Sequence, residues 1–230
     1  MTIRALTMIL ALASAVAGSG RAAAQEPTPI QDNSFLIEEA YNQEPGVVQH
    51  ISTLLRAGRR WSYSFTQEWP LASQRHQLSF TIPVEHGVGD VAINYRQQIA
   101  GIGGGTAVAP RFSLILPTAS GAGTAAQVNL PVSLTLARRL VMHANAGATA
   151  IRRSKTVYNA GTSLIWLARP TINPMLELVW TGDANTGELI VNPGVRWAHN
   201  VGNLQIVPGI SFPDGRDVFF YLSFEHPFKS

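Results

Sequence analysis

The chain has 230 residues, no cysteine, and charged side chains at only 13% of positions, about half the share usual in soluble domains, while hydrophobic residues make up 46%. Seventeen basic residues against fourteen acidic ones give a net charge of +3, too small an excess to argue for nucleic acid as a partner. The lack of cysteine excludes disulfides and thiol chemistry.

Arg4 precedes an apolar run, Ala5 to Val16, and small residues end at Ala22-Ala23-Ala24 before Gln25. A charged start, a short apolar stretch and an A-x-A site make a secretory signal, and the run is too short to cross a bilayer. Residues 1–24 are therefore expected to be removed on export. Arg4 and Arg21 would leave with them, and the remaining 206 residues would carry a net charge near +1. No later apolar stretch is long enough for a transmembrane helix.

Residues 25–46 differ in pattern from the rest of the mature chain. Pro27 and Pro29 break structure, and a short helix is expected from Ser34 to Asn42, capped by Asp32, Asn33 or Ser34. Glu38 and Glu39 would sit early in that helix, where negative charge is favoured. Pro45-Gly46 ends it. The segment reads either as a periplasmic tether or as a plug that enters a lumen, with Phe35, Glu38, Glu39 and Tyr41 as candidate plug or gate residues.

From Val47 onward the hydrophobic period is two, with turn residues every dozen or so positions. Twelve strands are predicted, near 47–56, 59–69, 74–83, 88–97, 107–116, 127–137, 140–149, 156–166, 172–181, 187–197, 203–211 and 217–228. In the second, Trp61, Tyr63, Phe65 and Trp69 oppose Arg60, Ser62, Ser64, Thr66 and Glu68. In the seventh, Leu140, Met142, Ala144 and Ala146 oppose His143, Asn145 and Thr149. In the last, Val218, Phe220, Leu222 and Phe224 share one face, although Phe219 and Tyr221 interrupt the polar face opposite.

Alternation alone fits a soluble sandwich or a membrane barrel. The tryptophans decide between them: Trp61, Trp69, Trp166, Trp180 and Trp197 all fall near predicted strand ends, as an aromatic girdle requires. The expected fold is all-β, an antiparallel transmembrane β-barrel of about twelve strands in the bacterial outer membrane, with a short N-terminal helical segment and the barrel over residues 47–230. Pro83, Pro110, Pro131, Pro174, Pro193 and Pro208 lie in or beside strands, so bulges or early strand ends are expected there.

The polar face supplies the candidate lumen lining: Arg60, Glu68, Arg75, Asp90, Arg96, Arg111, His143, Glu177, Glu188, Arg196 and Glu225. Its signs nearly balance, which fits either internal salt bridges or a weakly selective aqueous path. The glycines of Gly101–Gly105 lack the Lys-Ser/Thr of a phosphate loop. The six histidines show no metal spacing, and His143 lacks a nucleophile motif, so no metal, cofactor or catalytic residue is expected.

Four blocks, NSFLIEEAYNQEPGVVQHIS (Asn33 to Ser52), GVGDVAINYR (Gly87 to Arg96), RFSLILPT (Arg111 to Thr118) and QVNLPVSL (Gln127 to Leu134), resemble a bacterial family described as proteins of the meta pathway of phenol degradation. The family's LPTG reads LPTA here, Leu116 to Ala119. The resemblance implies an outer-membrane barrel, sometimes regarded as a channel for small aromatic compounds, and carries no catalytic residues. The sequence thus points to a passive channel for small solutes, aromatic or hydrophobic ones among them, with outer-membrane lipid as its surroundings. The alternatives are a closed barrel that modifies lipids and a structural outer-membrane protein.

Overall fold

The computed structural model describes residues 33–101, 105–118, 123–201 and 204–228. The signal sequence expected over 1–24, and residues 25–32 of the N-terminal segment, lie outside them.

The strands are β1 (Val47–Ala57), β2 (Arg60–Leu71), β3 (Ser73–Val84), β4 (Val91–Gln97), β5 (Ala107–Val108), β6 (Arg111–Leu116), β7 (Ala125–Ala137), β8 (Leu140–Ile151), β9 (Val157–Trp166), β10 (Ile172–Gly182), β11 (Gly187–Trp197), β12 (His199–Val201), β13 (Leu204–Ser211) and β14 (Val218–Pro227). Each long strand pairs antiparallel with its neighbours in sequence. The ring closes because β1 also pairs with β14, Val47 opposite Pro227 through Arg56 opposite Val218, and β13 reaches β11 at Gly194 to Arg196. Counting β5 with β6 as one interrupted strand, and β12 as a short extension, the described residues form a closed barrel of twelve strands.

Strand alternation turns this closure into an inside-out protein. Leu54, Ile93, Leu114, Leu130, Leu178 and Phe220 are exposed on the outer wall. Polar residues dominate the buried set, among them Gln49, Asn94, Arg96, Asn129, His143, Glu177 and Arg196. In water so large an apolar belt would aggregate; against lipid tails it is the favourable contact. Trp61 and Trp180 stand toward the end of the barrel away from the chain termini, and Trp69, Trp166 and Trp197 toward the terminal end.

The prolines meet the expectation in part: Pro110 lies where the predicted fifth strand is interrupted and Pro83 one residue before β3 ends, but no bulge falls at either. Register shifts occur at Pro70/Leu71 and Thr135/Ala137, and none at the six prolines singled out from the sequence. Four of those six lie at seams instead. Pro131 keeps its pairing with Asn145 on one side, and on the other it faces the gap between β5 and β6, where Ala109 donates its N–H to the Pro131 carbonyl. Pro110 occupies that same gap. Pro193 and Pro208 sit one residue before the β11–β13 pairing begins. A missing N–H does little harm where the ladder is already interrupted.

Residues 33–46 contain no helix. The expected helix over 34–42 fails because the donors that would close its turns are taken elsewhere. Ala40, Asn42 and Gln43 donate their backbone N–H groups to Ser133 Oγ, Gln98 Oε1 and Gln77 Oε1, at 2.8, 3.0 and 2.7 Å. The segment instead crosses the inner face as irregular backbone, bent at 35–37 and at 40. It joins β1 at Gly46, whose positive φ of 80° makes the turn and whose carbonyl accepts the Phe228 N–H.

Candidate functional site

The site is the lumen and the segment lying in it. Three anchors hold the segment, each built from inward-facing positions of the strands.

The first anchor is Glu177 on β10. Its Oε1 accepts the backbone N–H groups of Phe35, Leu36 and Ile37 at 3.0, 2.9 and 3.1 Å. Three successive amides converging on one anion form a nest. Asn192 steadies the carboxylate by donating to Oε2 at 2.6 Å. Beside it Ser34 and Ser163 share a hydrogen bond of 2.5 Å.

The second anchor is apolar. The Phe35 ring stands edge-on to Phe219 and Tyr221, with centroids 5.8 and 5.5 Å away. A Cβ on Gly194 or Gly209 would lie 2.5 or 2.6 Å from that ring. Ile37 fills a similar notch, since a Cβ on Gly161 would lie 2.5 Å from its Cδ1. At Gly209 the two nearest atoms both belong to the Phe35 ring, whereas at Gly194 and Gly161 a Cβ would also meet the wall, at Ser211 Cβ and the Leu178 carbonyl, both 2.6 Å away. Arg196 completes this side: it donates to the Asn33 carbonyl at 2.5 Å and its guanidinium lies 4.9 Å from the Tyr221 ring centre.

The third anchor is Glu38. Its Oε1 lies 3.2 Å from Arg96 Nη1, and its Oε2 accepts from Arg111 Nε at 2.8 Å and Asn129 Nδ2 at 3.0 Å. Burial pushes the Glu38 pKa up, but Arg111 and Arg96, helped by the bond from Asn129, outweigh it and hold the carboxylate below its usual range. Arg96 also donates to Asn42 Oδ1 and to the carbonyls of Glu39 and Tyr41.

A chain of amides closes the terminal end. Gln43 donates to Gln49, Gln49 to Glu225, and Gln77 to Glu68, at 2.7, 3.0 and 2.8 Å. Glu39 accepts from Asn33, and the Tyr41 hydroxyl donates to the Gly105 carbonyl.

Other sequence candidates fall outside this interior layer. Arg60, Arg75 and Glu188 are exposed near strand ends. Asp90 precedes β4 and accepts the N–H groups of Thr118 and Gly123, which ties down a connection. His143 does meet a serine: its Nδ1 lies 2.7 Å from Ser133 Oγ. Both side chains are fully buried, and the same hydroxyl accepts the Ala40 N–H, so it serves as an anchor rather than a nucleophile. No group of three metal-ligating side chains occurs among the described residues.

Sequence reasoning passed over the glutamines, Asn129, Ser133 and the three wall glycines. A signal was present: Phe219 and Tyr221 break the polar face of the last strand, and Gly161, Gly194 and Gly209 share the inward parity.

Between the segment and β1–β4 a cavity of about 380 Å³ remains. Thr53, Ser64, Thr66, Ser79 and Thr81 line it with hydroxyls, and Glu68, Arg96 and Arg111 reach it from the wall.

No family model and no curated protein matches the chain. Solved structures do. The barrel is similar to the KdgM porin, with a TM-score of 0.61 at 9% identity over 80% of this chain and 99% of that one. It is also similar to the NanC porin, with a TM-score of 0.57 at 9% identity over 80% and 100%. An outer membrane channel from Pseudomonas putida F1 gives a TM-score of 0.51 at 12% identity over 82% and 98%. At such identities the likeness is one of fold: the chain has the closed β-barrel seen in outer-membrane porins and channels.

Proposed function

We propose that the protein is an outer-membrane channel for small solutes whose lumen is held shut by residues 33–46 as a resident plug. The observation that carries this reading is the fit of the segment to the wall. A twelve-stranded barrel is wide enough to need filling. A barrel filled only for stiffness would use its own inward side chains. Here the wall instead keeps Gly161, Gly194 and Gly209 bare and offers Glu177, Ser133 and Gln77 to main-chain amides of a separate segment.

The solute is read from the lining. Five hydroxyls and a carboxylate on the cavity wall favour a small polar solute. Ile51, Phe219 and Tyr221 border the same cavity, so an aromatic or hydrophobic solute would have a place on that side. The alternative of a lipid-modifying enzyme is not favoured, because the barrel's likeness is to porins and channels.

A disulfide tests the plug. The two hydroxyls of Ser34 and Ser163 are close enough for a sulfur pair to replace them, and the chain has no other cysteine. The S34C/S163C protein in planar bilayers is expected to stay silent when oxidised and to show conductance steps when reduced. Equal conductance in both states would refute a mobile plug, and the heat-dependent gel mobility of the folded barrel checks that the protein is intact.

A pH titration tests the same reading through Glu38. Because its pKa is depressed in the plugged state, its contribution to closure is complete above the ordinary carboxylate range and lost as pH falls through the lowered value. The part of closure that Glu38 supplies should therefore be lost, and conductance rise, only in strong acid. Glu38→Gln should remove that rise.

A further inference from the structure

We propose that the wall site occupied by Glu38 is the pore's carboxylate subsite, and that a small hydroxylated carboxylate opens the channel by taking the place of Glu38 there. The inference rests on the plugged-channel reading and adds to it a ligand class and a trigger.

The site is built by the wall. Arg111 is fixed independently of the segment: its Nη1 donates to Asn94 Oδ1 and Ser113 Oγ, at 2.9 and 2.7 Å, and its Nη2 to Gln127 Oε1 at 2.9 Å. Those three partners leave Nε directed at Glu38. Asn129 is fixed as well, since Asn159 Nδ2 donates to its Oδ1 at 3.3 Å and turns its own amide N–H toward Glu38. Two wall residues thus present donors to one carboxylate oxygen whether or not the segment is there. Arg96 supplies the donor for the other oxygen.

The carboxylate within this cradle belongs to the plug, so when the plug leaves, the cradle is left without its anion. The charge balance shifts at the same time. Glu38, Glu39 and Glu68 face Arg96 and Arg111 around the cavity while the plug is seated. Withdrawal removes Glu38 and Glu39 and leaves two guanidiniums against one carboxylate. A free carboxylate is what such a site binds, and guanidinium pairs to carboxylates are among the stronger hydrogen bonds.

The competitor can reach the site before the plug moves. Glu38 and Arg111 keep about a fifth of their side-chain surface exposed, 22% and 19%, and both border the cavity. The remainder of the solute would lie along the hydroxyls of Thr66, Ser79 and Thr81 on β2 and β3, which come before the Phe219 and Tyr221 rings of β14 in the strand order running from Arg111 on β6. Hence the ligand class is a carboxylate on a short hydroxylated chain.

The test uses the full mature chain in planar bilayers at fixed ionic strength, with gluconate as the probe and sorbitol as its neutral counterpart. Gluconate at millimolar concentration is expected to lengthen the open fraction several-fold, while sorbitol leaves it unchanged. In Glu38→Gln the channel is expected to open without solute. Gluconate should then add no opening but lower the single-channel current by occupying the vacated cradle. This second readout does not depend on the plug, and the substitution leaves every wall residue in place. The inference is overturned if gluconate and sorbitol act alike on the wild type, or if Glu38→Gln conducts without any block by gluconate; the channel reading would survive either result. If neither Glu38→Gln nor the reduced S34C/S163C protein conducts, both readings fall.

Discussion

Glu177→Ala is expected to raise the open fraction of the channel about a hundredfold while the barrel stays folded. The size is set by the work of one carboxylate oxygen, which accepts three backbone N–H groups of the plug. Hydrogen bonds contribute roughly 0.5–1.5 kcal/mol each between neutral groups and 1.5–3 kcal/mol where one partner is charged. Water entering the vacated space would recover part of that. A net loss of about 3 kcal/mol in the plugged state is a middle figure, and each ~1.4 kcal/mol is tenfold in an equilibrium. In the open state the same amides face water, so the substitution costs nothing there. Single-channel recording measures the open fraction directly. An unchanged open fraction would mean that the amides of Phe35 to Ile37 find other acceptors and that Glu177 does not hold the plug. Glu177→Gln, which keeps one acceptor oxygen but loses the charge, should fall between the two.

The barrel was legible in the sequence because each strand faces two solvents. Leu130 against Asn129 and Leu178 against Glu177 repeat one contrast from strand to strand, and that contrast sets both strand existence and inward parity. The tryptophans mark strand ends for the same reason. The plug's conformation was not legible. Ser34 to Asn42 carries local helix signals, yet its amides bond to Glu177, Ser133 and Gln98, and that of Gln43 to Gln77, partners that lie from 34 to 142 residues away in sequence. Local propensity yields when tertiary acceptors are on offer. The prolines marked interrupted strands correctly at Pro110 and Pro83, but not bulges. A proline needs only a missing partner on its N–H side, and in this barrel the seam between β5 and β6 and the start of the β11–β13 pairing supply that without a bulge. Asp90 and the strand-end charges kept the right alternation but sit too far along the barrel axis to reach the interior layer, a coordinate that parity does not encode.

Phe219, Tyr221 and the inward glycines were the sequence clues to an occupant, and they lead to the second large effect. Gly209→Ala should open the channel by roughly ten- to a hundredfold without altering a single residue of the plug. The new Cβ would stand 2.6 Å from one Phe35 ring carbon and 2.8 Å from another, while its remaining close neighbour is the Cγ of Arg196 at 2.9 Å. The arginine stem can bend, but the ring can move only by giving up its edge-on contacts with Phe219 and Tyr221. Overpacking of this kind costs about 1–3 kcal/mol, and the plug can relieve it by leaving. Gly209 does not need a left-handed backbone, so alanine is tolerated by the strand itself. Phe35→Ala should also open the channel, because it forfeits the ring's burial and two edge-on aromatic contacts worth roughly 0.5–1.5 kcal/mol each. The double variant separates steric expulsion from general damage to the wall. With the ring gone, alanine at position 209 has nothing to strike, so Gly209→Ala should have almost no effect in the Phe35→Ala background. Such non-additivity is the signature of two groups in contact. Additive effects would mean that Gly209 acts on the barrel and not on the plug, and that the wall there is no seat for Phe35.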